Sequence, residues 1–448
     1  MPPRLLRQAK KQFLRLTAPQ ALILSYVGLS LAGAALLKLP LASHQPTSWM
    51  QALFTAVSAS TITGLTVVDT ASHFTLFGHW VLIFLMQCGG LGLMTFGILI
   101  LQLSSGQLAL RHRAALRESF NQSGPGDIAQ LMRLMFTFVL LMELLGTLML
   151  ALQWVPQMGL WRGLFHSFFH ATSAFNNAGF ALASDSLGAY VGNPLVNFVI
   201  SVLFISGGIG FVVIADMLNK KRFRDYALHT KLMLLGTVVI NLVAMLVLLV
   251  LEHGNPETLG GLQGWGAKLW AAWFQAVSPR SSGFNTVDTG KLLPVTAFFI
   301  MGLMFIGAGS GSTGGGIKLT TFIVLLLATR AFIWQHKHPV VFGRMIDAVM
   351  TLKALAITMI ALLCVIAGTF LLLLTEPGDF LNLAFEAVSA ATTTGLSRGL
   401  TPSLSLAGQW IVMILMLIGR VGPLTLAFTL ANPRGSRIQY PKGQVNIG

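Results

Sequence analysis

Charged residues are scarce in this chain: only 10% of its 448 residues are Asp, Glu, Lys or Arg. A water-soluble domain carries about 25% charged residues. Here 54% of the residues are hydrophobic, and the mean hydropathy is +0.74. This composition excludes a soluble fold and predicts an all-α integral membrane protein.

Cysteine and the usual catalytic patterns are also scarce. The two cysteines, Cys88 and Cys364, lie in apolar runs without metal or redox spacing, so we expect two small buried side chains. His166 and His170 are four residues apart, but no Glu follows the first, as a zinc protease would require. Because no Gly-x-Ser-x-Gly motif appears either, the sequence does not indicate an enzyme.

Long apolar runs dominate what is present. A membrane span needs about 20 apolar residues. Eight runs qualify as spans: 21–41, 80–101, 134–155, 198–218, 232–252, 298–329, 355–375 and 410–430. At about 1.5 Å per residue, the sixth run, 298–329, is too long for one crossing. We therefore predict that the glycine-rich stretch "GAGSGSTGGGIK" at 307–318 interrupts it.

Basic residues are unevenly distributed between the two sides of these spans. Of the 29 Lys and Arg, 21 fall in the N-terminal segment, in 102–133, 219–231 and 330–354, and in the C-terminal tail. Cytoplasmic loops carry such an excess. The distribution predicts that both termini are in the cytoplasm, and the net charge of +15 needs no nucleic-acid partner to explain it.

An internal repeat recurs four times. The pentapeptides are "FTAVS" at 54–58, "FHATS" at 169–173, "FQAVS" at 274–278 and "FEAVS" at 385–389, and a glycine follows each Phe after 10, 10, 9 and 10 residues. We predict four tandem units of span, re-entrant pore hairpin and span, with pseudo-fourfold symmetry around one pore. The predicted divisions are a basic cytoplasmic segment 1–20, repeat 1 at 21–101, repeat 2 with its preceding loop at 102–218, repeat 3 at 219–329, repeat 4 at 330–432, and a cytoplasmic tail at 433–448.

Each hairpin is predicted to be a short helix that stops at Ser and gives way to polar, non-helical chain. Such chain at membrane depth must be buried in protein or line a watery cavity. Its carbonyl oxygens can replace the water shell of a cation, and glycine permits backbone angles that a Cβ forbids. The alternative is that the glycines merely form turns. The candidate filter residues are Thr61, Ile62, Thr63, Gly64, Asn176, Asn177, Ala178, Gly179, Ser281, Ser282, Gly283, Thr392, Thr393, Thr394 and Gly395.

Acidic residues follow three of the four glycines by five or six positions. They are Asp69, Asp185 and Asp288. At a pore mouth they would raise the local cation concentration. As ordinary solvated loop charges they would have no such role, and the sequence leaves both interpretations open.

The glycine tract of the third repeat is a candidate gate. It aligns with glycines at 87–92, 205–210 and 417–422, which we interpret as weak points within helices. Arg420 lies at such a point, and an intramembrane arginine usually faces the protein interior or a water cavity. Arg420 places a fixed charge at the cavity, caps loop carbonyls, or does both, whereas Glu143 is expected to be a helix-packing hydrogen bonder. The candidate gate residues are Gly307, Gly309, Ser310, Gly311, Ser312, Thr313, Gly314, Gly315, Gly316, Lys318 and Arg420.

The four Phe-x-Ala-[Val/Thr]-Ser hairpins with single glycines resemble the Trk/Ktr/HKT superfamily of potassium transporters over about residues 20–432. The resemblance implies potassium uptake stimulated by sodium, with no cofactor in this chain. It further implies a homodimer with one pore per protomer and a KtrA-like cytoplasmic ring that binds ATP or ADP. Gly64 matches the glycine that accompanies potassium selectivity in this family, and the family has an intramembrane gating loop where the glycine tract lies.

Three points are open at the level of sequence. Arg280 beside the path would repel potassium, so we expect it to turn behind the third hairpin, with Glu386 as a candidate partner.

The competing function is a secondary transporter that couples potassium to sodium or protons by alternating access. Such folds use inverted repeats, whereas all four repeats here run in one orientation. The loops 219–231 and 330–354 and the tail after Asn432 are candidate docking sites for the ring, or simply charge that sets topology.

Overall fold

The computed structural model describes residues 18–92, 127–280 and 282–422. These residues form fifteen α-helices and one two-stranded hairpin. In chain order the helices are α1 (Ala18–Leu37), α2 (Trp49–Ser60), α3 (Thr70–His73), α4 (Leu76–Gly90), α5 (Asp127–Met158), α6 (Leu160–Phe175), α7 (Pro194–Ile209), α8 (Phe211–Asn219), α9 (Leu228–Glu252), α10 (Trp265–Val277), α11 (Pro294–Phe305), α12 (Leu319–Ile333), α13 (Ala348–Thr375), α14 (Phe380–Ala391) and α15 (Leu406–Val421). The strands β1 (Val340–Val341) and β2 (Arg344–Met345) pair antiparallel.

The four pentapeptides lie on α2, α6, α10 and α14, and each of these helices packs against the longer helix before it. The Phe of every pentapeptide is fully buried: Phe54, Phe169, Phe274 and Phe385. Fully burying such a side chain contributes about 1.5–3 kcal/mol. The Ala two residues later is equally buried at all four sites, where its small side chain lets the helices approach. The recurring Phe and Ala therefore fix these short helices in the protein interior.

The short helices do not stop at the pentapeptide Ser, as the sequence suggested. α2, α6 and α14 continue two residues further, to Ser60, Phe175 and Ala391. The backbone N–H groups of Thr61 and Thr392 still reach the carbonyls of Val57 and Val388, so the last turn stays hydrogen-bonded. Only α10 ends beside its Ser, and the chain passes directly into a 3-10 turn, Ser278–Arg280.

The long apolar runs are not eight straight helices. Within the described residues, Arg133–Met158, Leu228–Glu252 and Ala348–Thr375 are each long and apolar enough to cross a membrane alone. The sixth run is interrupted between α11 and α12, as predicted. The fourth run holds a sharper break than the expected weak point, because α7 and α8 meet at an angle of 94°. Their junction is Gly210, whose φ of +102° favours glycine.

Some expectations fall outside the described residues, namely most of the N-terminal segment 1–20, the loop 102–126 and the tail 433–448. Cys88 and Cys364 are free thiols, but both are partly exposed rather than buried. Large apolar side chains such as Leu152 and Phe298, each 70% exposed, also cover the outer surface. In a membrane protein such faces meet lipid, so an apolar run does not by itself imply burial.

Candidate cation site

The four predicted filter glycines share a left-handed backbone. Their φ angles are +90° at Gly64, +71° at Gly179, +73° at Gly283 and +89° at Gly395. Residues with a Cβ rarely adopt such angles. The position two residues earlier is also left-handed in three strands: Ile62, Asn177 and Thr393. The fourth equivalent, Ser281, lies outside the described residues. The strands therefore follow a common backbone course.

Each glycine packs against a carbonyl oxygen of the next strand. The oxygen belongs in every case to the residue just before the next glycine. The pairs, in order, are Gly64 with Ala178, Gly179 with Ser282, Gly283 with Thr394, and Gly395 with Thr63. A Cβ would stand 2.6 Å from that oxygen at Gly64 and 2.8 Å at Gly179, and closer at the other two. The contacts run from strand to strand and return to the first, so the four strands meet.

One cavity of about 250 Å³ is lined by all four glycines. Asp69 and Asp288 line it as well, whereas Asp185 is not part of this lining. The Asp69 carboxylate accepts hydrogen bonds from the hydroxyls of Ser72 at 2.6 Å and Ser184 at 2.7 Å. Burial raises the pKa of Asp69, but these bonds and backbone N–H donors outweigh it and hold the pKa below its usual value. The cavity therefore carries negative charge at neutral pH.

In repeats 1 and 4 the hydroxyl of the pentapeptide serine holds the strand to its helix. The hydroxyl oxygen of Ser58 accepts from the N–H of Gly64 at 3.1 Å, and that of Ser389 accepts from the N–H of Gly395 at 3.0 Å. Sequence reasoning used these serines only to mark where a helix ends. The six-residue separation of Ser from Gly that repeats 1 and 4 share was the signal that could have revealed the contact.

The serine carbonyls explain the unequal glycine spacing. In repeats 1, 2 and 4 the N–H just before the glycine donates to the Ser carbonyl five residues back, at 2.8 to 2.9 Å. In repeat 3 the Ser282 N–H donates to the Ser278 carbonyl, only four residues back, at 3.0 Å. This strand is one residue shorter, which accounts for its spacing of 9 rather than 10.

The side chains of the threonine strands bond to each other. The hydroxyls of Thr61 and Thr63 lie 2.8 Å apart, and those of Thr392 and Thr394 lie 2.9 Å apart. The Thr394 hydroxyl also donates to the Pro279 carbonyl of the third repeat at 3.3 Å. The atoms that face neighbouring strands at the glycines are main-chain oxygens, which are suitable ligands for an alkali cation.

The interrupted segment between α11 and α12 lies against these strands. Nδ2 of Asn177 donates to the Thr313 hydroxyl at 2.6 Å. A Cβ on Gly315 would stand 2.5 Å from the carbonyl oxygen of Thr392. The segment is held from the other side by the bent span, where the Gly309 N–H donates to the Gly208 carbonyl at 2.7 Å.

Two cations hold the interrupted segment. The buried Arg420 guanidinium donates to the carbonyls of Thr313 and Gly89, and to the Gly90 carbonyl at 3.1 Å. It also donates to the Tyr26 hydroxyl at 3.0 Å. The Lys318 ammonium donates to the Gly314 carbonyl at 2.8 Å. Arg420 thus caps loop carbonyls, one of the two roles predicted for it.

The suggested pairing of Arg280 with Glu386 is wrong. Arg280 is buried and its Nη1 donates to Oδ1 of Asn241 on α9 at 3.0 Å. Glu386 instead accepts from the hydroxyls of Ser397, at 2.9 Å, and Thr401. The position of Glu386 on α14 directs its carboxylate to the residues that follow Gly395, away from the third repeat. Arg280 does lie behind the hairpin, against an outer helix.

Glu143 is a hydrogen bonder between helices, as expected. Its carboxylate accepts from Nε2 of Gln87 and from Nδ2 of Asn176, each at 3.1 Å. Gln87 lies on α4, and Asn176 follows α6 directly. The carboxylate on α5 therefore ties the second strand to two neighbouring helices.

The fold and the site together define a membrane transport protein. Residues 3–440 match the family described as TrkH: Cation transport protein. The chain belongs to this family, which consists of transporters rather than enzymes.

Individual relatives match along almost their whole length. The chain is 48% identical over 437 residues to the Ktr system potassium uptake protein B of Bacillus subtilis (strain 168), covering 98% of each chain. Its identity to the protein of that name from Vibrio alginolyticus is 44% over 432 residues, covering 96% of this chain and 95% of that one. The potassium/sodium uptake protein NtpJ of Enterococcus hirae is 34% identical over 444 residues, covering 97% and 98%.

A solved structure shares the fold. The crystal structure of the potassium transporter TrkH from Vibrio parahaemolyticus superposes with a TM-score of 0.73, covering 93% of this chain and 86% of that one. The sequences are 19% identical, so the likeness establishes the helical transporter fold alone.

The serine contacts predict unequal effects of equivalent substitutions. Ser389→Ala removes the acceptor of the Gly395 N–H and should lower the free energy of unfolding by about 1 kcal/mol. Ser173→Ala is the matched control, because the buried Ser173 hydroxyl has no hydrogen-bond partner among the residues that the structure describes, and its loss should be neutral or stabilising. Thermal unfolding of both purified variants in one detergent measures the difference. Equal destabilisation would contradict the assigned role of the serine.

Proposed function

We propose that this chain mediates potassium uptake across the bacterial inner membrane through a pore at the meeting point of the four glycine strands. The observation that carries the proposal is the closed series of contacts between each glycine and the carbonyl before the next, around one shared cavity. The names of the relatives, all potassium uptake proteins, supply the ion.

The proposed filter consists of main-chain oxygens. The carbonyls of Thr63, Ala178, Ser282 and Thr394 would replace the hydration shell of the ion. The short helices α2, α6, α10 and α14 end where these strands begin, and the C-terminal end of a helix carries partial negative charge. Asp69 and Asp288 add full charge at the cavity. All of these groups favour a cation over an anion.

The glycine segment 307–318 is the proposed gate. It touches the second strand through Asn177 and the fourth strand through Gly315, so it lies directly against the filter. Arg420 holds it in this position through the Thr313 carbonyl. A hydrogen bond to a charged group contributes about 1.5–3 kcal/mol. Opening would require these bonds to break, which makes the segment a closed but releasable barrier.

Alternating access has one observation in its favour. The 94° break between α7 and α8 is the kind of discontinuous helix that secondary transporters use. A pore and an alternating-access transporter differ in whether potassium movement is coupled to the movement of a second ion. Purified protein in liposomes should move potassium down its own gradient with no sodium or proton gradient. Obligatory movement of a second ion in fixed ratio would favour alternating access.

The assembly proposal rests on the relatives. Two of them are components of a Ktr system and a third is a potassium/sodium uptake protein. We infer cytoplasmic termini, a homodimer, stimulation by sodium, and a KtrA-like cytoplasmic ring that binds ATP or ADP. Growth on low potassium, with and without a co-expressed soluble partner, tests this assembly.

Selectivity should depend on the first filter glycine. Gly64→Ser places a Cβ against the Ala178 carbonyl at a φ of +90°. Backbone strain of about 1–3 kcal/mol would displace the Ala178 carbonyl, and a resulting change of about 1.4 kcal/mol in the relative binding of the two ions is a roughly tenfold loss of potassium preference over sodium. Gly264→Ser is the matched control, since Gly264 has a φ of +83° and no atom of the described part of the chain lies within 4 Å of an added Cβ. Potassium and sodium uptake into liposomes would be compared, and unchanged selectivity in folded Gly64→Ser protein would count against the filter.

Removing part of the gate should increase flux. Deletion of Ser310–Gly315 removes Thr313 and with it the contacts to Asn177 and Arg420. We expect faster potassium entry into liposomes per folded protein, with folding checked by gel filtration. Arg420→Gln, which keeps the full chain length, should change flux in the same direction. Slower entry through properly folded deletion protein would show that the segment supports conduction instead of blocking it.

A further inference from the structure

A second cavity lies far from the glycine strands, at the end of α12. Its volume is about 460 Å³. It lies between the last turns of α12 and the β1–β2 hairpin that leads to α13. The lining residues are Leu327, Arg330, Ala331, His336, Lys337, His338, Pro339, Val340 and Met345.

The lining combines basic and apolar groups. Arg330, Lys337 and two histidines form its polar part, and none of the described residues that line it carries a carboxylate. Across residues 18–92, 127–280 and 282–422 the one ion pair is Lys220 with Asp216, so Arg330 and Lys337 have no carboxylate partner within that part of the chain. Basic side chains next to apolar side chains can bind a molecule that carries an anionic group on an apolar chain.

The surroundings place this cavity at the membrane surface. α13 is apolar and long enough to span a membrane, and the cavity lies just before it begins. Phe332 is 84% exposed and Trp334 67% exposed at the end of α12. Aromatic side chains concentrate at the level of the lipid headgroups. A soluble ligand would not account for this exposed aromatic rim.

A neighbouring basic loop adds to the positive charge. The Lys231 ammonium, at the start of α9, lies 5.9 Å from the ring centroid of Phe342 in the hairpin. The preceding residues Lys221, Arg222 and Arg224 belong to the same loop, 219–231. Positively charged side chains therefore extend from the cavity to the start of the neighbouring helix α9.

We propose that this cavity binds the phosphate headgroup of an anionic phospholipid. Arg330 and Lys337 contact the phosphate, while Leu327, Ala331 and Val340 contact the glycerol and the first methylenes. Basic pockets beside spans on the cytoplasmic side bind such headgroups. The proposal rests on the proposed function only in taking this loop as the cytoplasmic end of the spans. A soluble regulatory subunit, which this loop was also expected to contact, is the competing occupant.

The test measures lipid binding directly and does not depend on transport. Full-length protein purified in neutral detergent is titrated with phosphatidylglycerol and observed by native mass spectrometry. The double variant R330Q/K337Q should bind the lipid on the order of tenfold more weakly. The matched control R344Q/K353Q removes the same charge from the same loop at residues that do not line the cavity, and should bind as the unmodified chain does. Arg330→Lys, which keeps the charge, should retain most of the affinity and shows that loss is not due to misfolding.

Each other outcome overturns the proposal. Equal loss in both double variants would mean diffuse charge attraction rather than a site. Displacement of the lipid by millimolar inorganic phosphate would identify a soluble phosphate as the ligand. Unchanged lipid binding together with weaker binding of a co-purified ring would assign the cavity to that partner. Because the readout is lipid binding, any of these results leaves the uptake proposal standing.

Discussion

The close approach of four main-chain strands is the constraint on which the rest of the structure depends. At each meeting point a glycine Cα stands where a side chain would collide with the neighbouring carbonyl oxygen. The same glycines have positive φ angles, so both space and conformation require them. The residues that recur in the four repeats support this approach. The Phe and Ala fix the short helix, and the Ser holds the strand to it in repeats 1 and 4.

The filter strands and the glycine segment form a single connected structure. The Asn177 side chain, from the second strand, and the Arg420 guanidinium, from the last helix, both bind Thr313. Arg420 also binds the carbonyls of Gly89 and Gly90 at the end of α4. A movement of the segment therefore changes contacts to the second strand, to the fourth strand and to Arg420 at once.

Local features of the fold were predictable from sequence. The pentapeptides placed four short helices, and the glycine run placed the break between α11 and α12, because both signals act within a few residues. Long-range contacts were not predictable. Arg280 selects Asn241 over Glu386 because of how α9 and α14 face the third hairpin, which no spacing records. The 94° bend at Gly210 likewise depends on contacts with the glycine segment, since a Cβ there would stand 2.5 Å from the Ser310 carbonyl.

The most direct measurement is the position of a heavy alkali-like cation in crystals of the protein. Crystals grown in potassium and soaked in rubidium or thallium would be examined by anomalous scattering. The account predicts a peak between the strands, within bonding distance of the carbonyl oxygens of Thr63, Ala178, Ser282 and Thr394. Ordered cations found only beside the Asp69 and Asp288 carboxylates, with none among those carbonyls, would contradict it.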